Sequence, residues 1–160
     1  MNDVMIERIS QSAKALSLDL YARELAGYID DRDLSEKELK AVCDVFEYLE
    51  KKKYESMVYT MLKLSKLPMT EPKTFEKFDF TRLHGKHVEV LKSLPMLAPL
   101  YARKNLAFIG PQGVGKTHLA MAFGRECCLK GFKTYFLKAS ELNLKFTDAR
   151  KNGREATVIN

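Results

Sequence analysis

Apolar residues recur at helical spacing through the first 29 residues of the chain. A repeat of three and four residues places such side chains on one face of an α-helix. The repeating positions are Ile6, Ile9, Ala13 and Leu16, and then Leu20, Leu25 and Ile29. The pattern predicts two short helices that are broken near Ser17-Leu18-Asp19, with a turn at the acidic cluster 30–33.

A long helix is predicted to start at Ser35. Ser35 and Glu38 have the spacing of a capping box, in which each side chain accepts a hydrogen bond from a free amide at the helix start. Apolar positions then continue without proline or glycine as far as Pro68, and they are Leu39, Val42, Phe46, Leu49, Met57, Met61 and Leu64. We expect one helix of about 30 residues that packs in a bundle core or is presented to a partner. Lys51-Lys52-Lys53 in its middle is interpreted as a solvated face or a phosphate contact.

A change of composition at Pro68 predicts a domain boundary. The segment 68–73 contains two prolines and is followed by the aromatic triplet Phe75, Phe78 and Phe80. A further helical stretch is expected between residues 85 and 100, kinked or ended by Pro95. We therefore divide the chain into an α-helical N-terminal domain (1–67), a linker with a lead-in helix (68–104) and a third region (105–160).

The third region has the order strand, glycine loop, helix, strand. Residues 105–109 are a short apolar run of buried-strand type, and residues 133–137 form a second such run. The helix between them is predicted over 116–130, with Gly131 as its C-terminal stop. The predicted fold class is an α-helical N-terminal domain followed by the start of a P-loop α/β domain with an incomplete parallel sheet.

The glycine loop carries the candidate chemistry. Its glycines let backbone N–H groups turn inward onto phosphate oxygens. The lysine ammonium adds charge at the β- and γ-phosphates, the threonine hydroxyl is a ligand for Mg²⁺, and the helix start adds a favourable dipole. The sequence thus predicts ATP and Mg²⁺ as cofactors, with Thr117 as the metal ligand. The predicted cofactor-binding residues are Gly110, Pro111, Gln112, Gly113, Val114, Gly115, Lys116, Thr117 and His118.

Hydrolysis of ATP requires further groups that we do not identify. A carboxylate-bearing strand must hold the magnesium and position water, and an arginine usually reaches the γ-phosphate. Tyr28-Ile29-Asp30-Asp31 resembles such a strand end but completes a helical pattern in the other domain. Catalytic residues are therefore unknown, and negligible turnover is expected from residues 1–160 alone.

Charge and composition narrow the class of protein. Residues 1–67 carry 11 basic and 13 acidic side chains (net −2), whereas residues 68–160 carry 16 and 8 (net +8). The excess of positive charge in residues 68–160 favours the binding of polyanions, or it serves solubility. No targeting signal or membrane-spanning run is found, which predicts a cytoplasmic protein.

The three cysteines Cys43, Cys127 and Cys128 are interpreted as buried hydrophobic residues. His84 and His87 are interpreted as surface residues that lack a third metal ligand.

The loop and its surroundings resemble the IstB/DnaC family of AAA+ ATPases. The resemblance is carried by GPQGVGKTHLA at 110–120, by the preceding 105–109, by Gly131-Phe132 and by the segment 73–80, and it extends to the helical region 4–67. It implies an ATPase that forms homo-oligomers on DNA and assists an insertion-sequence transposase or loads a replicative helicase. It also implies a chain that stops before the Walker B strand, the sensors and the arginine finger.

Two hypotheses follow. The first is a truncated ATPase subunit of the IstB type that binds ATP and is unable to hydrolyse it alone. The second is a non-catalytic adaptor whose helical domain binds a transposase or helicase. A small phosphotransferase is a weaker option, because it requires a substrate pocket and a lid that the sequence does not indicate.

Overall fold

The computed structural model describes residues 2–85 and 87–154 of the 160-residue chain. The backbone divides into two compact units, Met1–Tyr59 and Thr60–Asn160. Within the described residues, no helix combines the length and the apolar composition that crossing a bilayer requires. Our division of the chain at residues 67 and 104 stays a prediction.

The first unit is built from three helices. They are α1 (Asn2–Ala15), α2 (Ala22–Arg32) and the first part of α3 (Glu36–Leu64). The predicted pair of short helices is confirmed, and the break between them contains Ser17 in the left-handed region at φ 65°. Ile6, Ile9, Leu25, Ile29, Leu39 and Cys43 form the buried core of this unit.

The capping box at the start of α3 is confirmed. The Ser35 amide donates to Glu38 Oε2 at 2.9 Å, and the Glu38 amide donates to Ser35 Oγ at 3.4 Å. Hydrogen bonds from Ser35 also lower the pKa of the Glu38 carboxyl. The 29-residue helix matches the predicted length.

The apolar stripe predicted along α3 is only partly buried. Leu39 is buried, but Val42, Leu49 and Met57 are exposed. Residues 51–53 are exposed as well, with Lys52 paired to Glu55 at 3.0 Å. A heptad-like repeat shows which residues share a helix face, but it does not show whether a neighbouring element covers that face.

The second unit contains shorter helices and turns. They are α4 (Val88–Lys92), α5 (Ala98–Tyr101), α6 (Lys116–Leu129) and α7 (Ala139–Lys151), with 3₁₀ turns at Phe80–Arg82 and Leu94–Met96. The helix predicted over 85–100 is split, because Pro95 stands at the start of the second 3₁₀ turn. The predicted helix after the glycine loop is confirmed to within one residue, and Gly131 follows it at φ 82°.

The predicted parallel sheet is wrong for the described residues. Neither 105–109 nor 133–137 is a strand, and within residues 2–85 and 87–154 no backbone hydrogen bond joins the two segments. Ile109 is 95% exposed, and the Phe136 amide donates to Ser65 O at 2.7 Å. An apolar run of strand type favours an extended chain, but a strand exists only where a second extended segment accepts its hydrogen bonds.

An aromatic cluster positions the start of α6. Its buried members are Phe75, Leu94, Leu119 and Ala122, and Phe78, Phe80, Leu91, Phe108 and Phe123 pack against them. Leu119 and Ala122 belong to α6, so this cluster packs the helix against residues 75–80, against residues 91–94 and against Phe108. Cys43, Cys127 and Cys128 are free and buried, which confirms their prediction as small hydrophobic residues.

Candidate functional site

The glycine loop runs from residue 110 to residue 115 and leads directly into α6. Gly113 has φ 84° and Gly115 has φ 93°, a region that side-chain-bearing residues rarely adopt. A Cβ at Gly113 would meet no atom within 4 Å, so only the backbone conformation requires glycine there. At Gly115 a Cβ would lie 2.5 Å from Phe78 Cε2, so this position is limited by space as well.

The backbone amides from residue 113 to residue 118 are the main polar groups of the loop. Within the described part of the chain, none of these six amides donates a hydrogen bond to another group, and the first helical bond runs from Leu119 N to Gly115 O. Free amides at a helix start carry partial positive charge and attract anions. Consecutive amides at one helix start are suited to bind phosphate oxygens.

Lys116 lies across the same loop. Its ammonium donates to Gly110 O at 2.9 Å and to Pro111 O at 2.6 Å. An incoming anion therefore has to draw the ammonium away from two carbonyls. The flexible lysine stem makes such a change of partner possible without backbone movement.

Thr117 and His118 differ in their surroundings. Thr117 is exposed, and among the described residues its hydroxyl has no hydrogen-bond partner. His118 is half-buried: its Nε2 lies 2.7 Å from Thr74 O and its ring packs edge-on against Phe78 at 5.2 Å. Since a carbonyl only accepts, Nε2 must carry the proton in this contact. The Thr117 hydroxyl is thus open to a metal ion, whereas His118 is engaged with the segment 74–78.

A cleft of about 390 Å³ borders the loop. It is lined by Gly113, Val114, Gly115 and His118 on one side and by Lys77, Phe78, Asp79 and Arg82 on the other. Two hydrogen bonds from Thr81 to Asp79 lower the pKa of that carboxyl. Sequence reasoning missed this second wall: the aromatic triplet was visible, but no local signal showed that it contacts the loop.

The other chemical candidates lie elsewhere. Asp30 and Asp31 belong to α2 in the first unit, and His84 and His87 are exposed before α4. In residues 2–85 and 87–154 no three or more His, Cys, Asp or Glu side chains come together to hold a metal ion. The acidic side chain that lines the cleft beside the loop is Asp79, which the sequence analysis did not single out.

The chain matches one protein family over most of its length. The profile of the family described as IstB-like ATP binding protein matches residues 11–160. A protein described as ATP-binding, from insertion sequence IS5376 of Geobacillus stearothermophilus, is 33% identical over 156 residues, which is 94% of this chain and 59% of that protein.

Two further relatives match over a shorter length. They are described as ATP-binding proteins of IS21 from Pseudomonas aeruginosa, 37% identical over 93 residues, and of IS232 from Bacillus thuringiensis, 34% identical over 93 residues. These alignments cover 58% and 57% of this chain, and 34% and 36% of the relatives. The chain thus spans less than two thirds of the length of these three relatives.

Proposed function

Because this chain belongs to the family of IstB-like ATP-binding proteins, we propose that its glycine loop binds the triphosphate of ATP. The row of free amides from 113 to 118 is the observation that carries the proposal. An anion at this position would satisfy donors that otherwise depend on water. Lys116 would supply the full positive charge that backbone amides lack.

Several residues of the loop have distinct parts in this proposal. Gly113 and Gly115 permit the left-handed backbone that turns the amides to one side. Lys116 exchanges the carbonyls of Gly110 and Pro111 for phosphate oxygens. The open hydroxyl of Thr117 fits a Mg²⁺ ligand, and bound Mg²⁺ would neutralise part of the phosphate charge. Gly110 and Pro111 supply the two carbonyls that accept hydrogen bonds from the Lys116 ammonium in this structure.

The proposal is tested by replacing Lys116. We expect Lys116→Ala to weaken ATP binding by at least about 100-fold, since hydrogen bonds to charged groups contribute about 1.5–3 kcal/mol each. Calorimetric titration of ATP with Mg²⁺ into the 160-residue chain measures the change. Lys92→Ala is the matched control, because Lys92 belongs to the same unit and is paired with Glu89 at 2.7 Å. Equal ATP affinity in the Lys116→Ala variant and the parent would contradict the proposal.

The cellular role we propose is assistance to an insertion-sequence transposase rather than helicase loading. The relatives that match are described as proteins of insertion sequences. The partners would be a transposase, DNA and further copies of this chain, and the cytoplasm is the proposed location. The net charge of +8 over residues 68–160 is consistent with DNA binding. Two of the lysines in the second unit, Lys66 and Lys145, lie over the Tyr135 ring at 5.3 and 4.9 Å from its centre, and Lys66 is also 3.9 Å from Glu141.

DNA binding separates this role from that of an adaptor. We expect the chain to bind duplex DNA more tightly with ATP and Mg²⁺ than without, and Lys116→Ala to remove that difference. Fluorescence anisotropy at fixed salt measures it, because affinity for a polyanion depends strongly on ionic strength. Transposase binding that is indifferent both to ATP and to Lys116→Ala would favour a non-catalytic adaptor instead.

A further inference from the structure

The ring of Phe78 is the closest neighbour of a loop glycine. A Cβ built on Gly115 would lie 2.5, 3.2 and 3.5 Å from three atoms of this ring, and these are its three nearest atoms. A ring this close to the Gly115 backbone limits how far the residue can move, since close-packed groups resist displacement. Gly115 is also the residue that precedes the first turn of α6.

Phe78 is itself held from several sides. Its ring meets Phe80 edge-on at 4.8 Å and His118 edge-on at 5.2 Å. Its amide donates to Phe75 O at 3.1 Å, and Phe75 is buried in the aromatic cluster. The ring therefore has packing partners on the Phe80 and His118 sides in addition to Gly115.

His118 provides a second connection between the same two segments. Its Nε2 lies 2.7 Å from Thr74 O, four residues before Phe78. Segment 74–78 thus touches the loop at Gly115 and the helix at His118. Four of the six free amides, from 115 to 118, lie at or between these two contacts, and the other two, 113 and 114, directly precede Gly115.

From this geometry we infer that Phe78 is a positioning residue for the phosphate site. Its ring holds Gly115 so that the amides from 113 to 118 stay directed to one side before any ligand arrives. Pre-ordered donors bind an anion more tightly than mobile donors, because less conformational entropy is lost on binding. Phe78 carries no charge, so its effect on phosphate affinity is indirect and acts through the backbone of Gly115.

The inference rests on the proposed function, and one experiment separates the two. The 160-residue chain is titrated by calorimetry with ATP and, separately, with inorganic tripolyphosphate, each with Mg²⁺. Tripolyphosphate has no base or sugar, so its affinity depends on the groups that bind phosphate and Mg²⁺, which are the amides, Lys116 and Thr117. Phe78→Ala is compared with Phe123→Ala, which removes another half-buried ring from the same cluster.

We expect Phe78→Ala to lower the affinity for both ligands about tenfold, which is within the usual range of coupling between residues in contact. Faster hydrogen exchange at amides 113–118 should accompany the loss, while Phe123→Ala keeps parental affinity at a similar melting temperature. Phe78→Leu, which retains an apolar contact, should recover part of the affinity. This variant also tests the inference if Phe78→Ala fails to fold.

Three results would overturn the inference. Loss of ATP affinity with unchanged tripolyphosphate affinity would mean that Phe78 contacts the nucleoside part of the ligand. Equal losses in Phe78→Ala and Phe123→Ala would mean a general effect of packing, and parental affinity in Phe78→Ala would mean no effect. Failure of the parent chain to bind either ligand would instead refute the proposed function on which the inference depends.

Discussion

Adding one methyl group at Gly115 tests the loop geometry most directly. Alanine there would have to adopt φ 93°, which costs an L-residue about 1–2 kcal/mol. Its Cβ would also overlap Phe78 Cε2 at 2.5 Å, and overpacking of this kind costs about 1–3 kcal/mol. We therefore expect Gly115→Ala to lower the free energy of unfolding by about 2–5 kcal/mol.

Gly113 provides the matched control for this prediction. It has a similar φ of 84°, but a Cβ there would meet nothing within 4 Å. Gly113→Ala should therefore cost only the backbone strain, about 1–2 kcal/mol. The difference between the two variants isolates the contact with the Phe78 ring.

Urea unfolding followed by circular dichroism measures both variants, with midpoints converted through a common slope. In a Phe78→Ala background the added Cβ no longer overlaps a ring. Gly115→Ala and Gly113→Ala should then lower the free energy of unfolding by the same amount. Equal destabilisation by the two alanines in the parent chain would refute the close approach of Phe78 to Gly115.

Two further predictions concern the helices. Ser35→Ala removes the hydroxyl of the capping box and should lower the free energy of unfolding by about 1 kcal/mol in a urea titration; an unchanged midpoint would contradict the cap. Burial raises the pKa of the Cys127 thiol from 9.0 to about 11, so the folded chain keeps a proton that the unfolded chain releases. Stability should be full below pH 9 and fall as the pH rises towards 11, and Cys127→Ala should make that fall shallower in parallel melting curves.

Local interactions made several elements predictable. The capping box at Ser35 and Glu38 and the absence of proline before Pro68 determine where α3 starts and how long it runs. Glycines at 113 and 115, with lysine and threonine directly after them, determine a loop of free amides at the start of α6. These signals act within a few residues, so the sequence alone carries them.

Contacts between distant segments were not predictable in this way. The strands expected at 105–109 and 133–137 depend on partners that no local pattern specifies, and the described residues do not pair them. Exposure of Val42 and Leu49 likewise depends on whether another element covers that face of α3.

The candidate site shows the same division. Its residue types and their order were determined by the sequence of the loop, from Gly110 to His118. That Phe78 lies against Gly115, and that Thr74 accepts a hydrogen bond from His118, was decided only by tertiary packing. The physical reason is that periodicity and capping act along the chain, whereas the ring and the glycine, 37 positions apart, meet only when the aromatic cluster packs on α6.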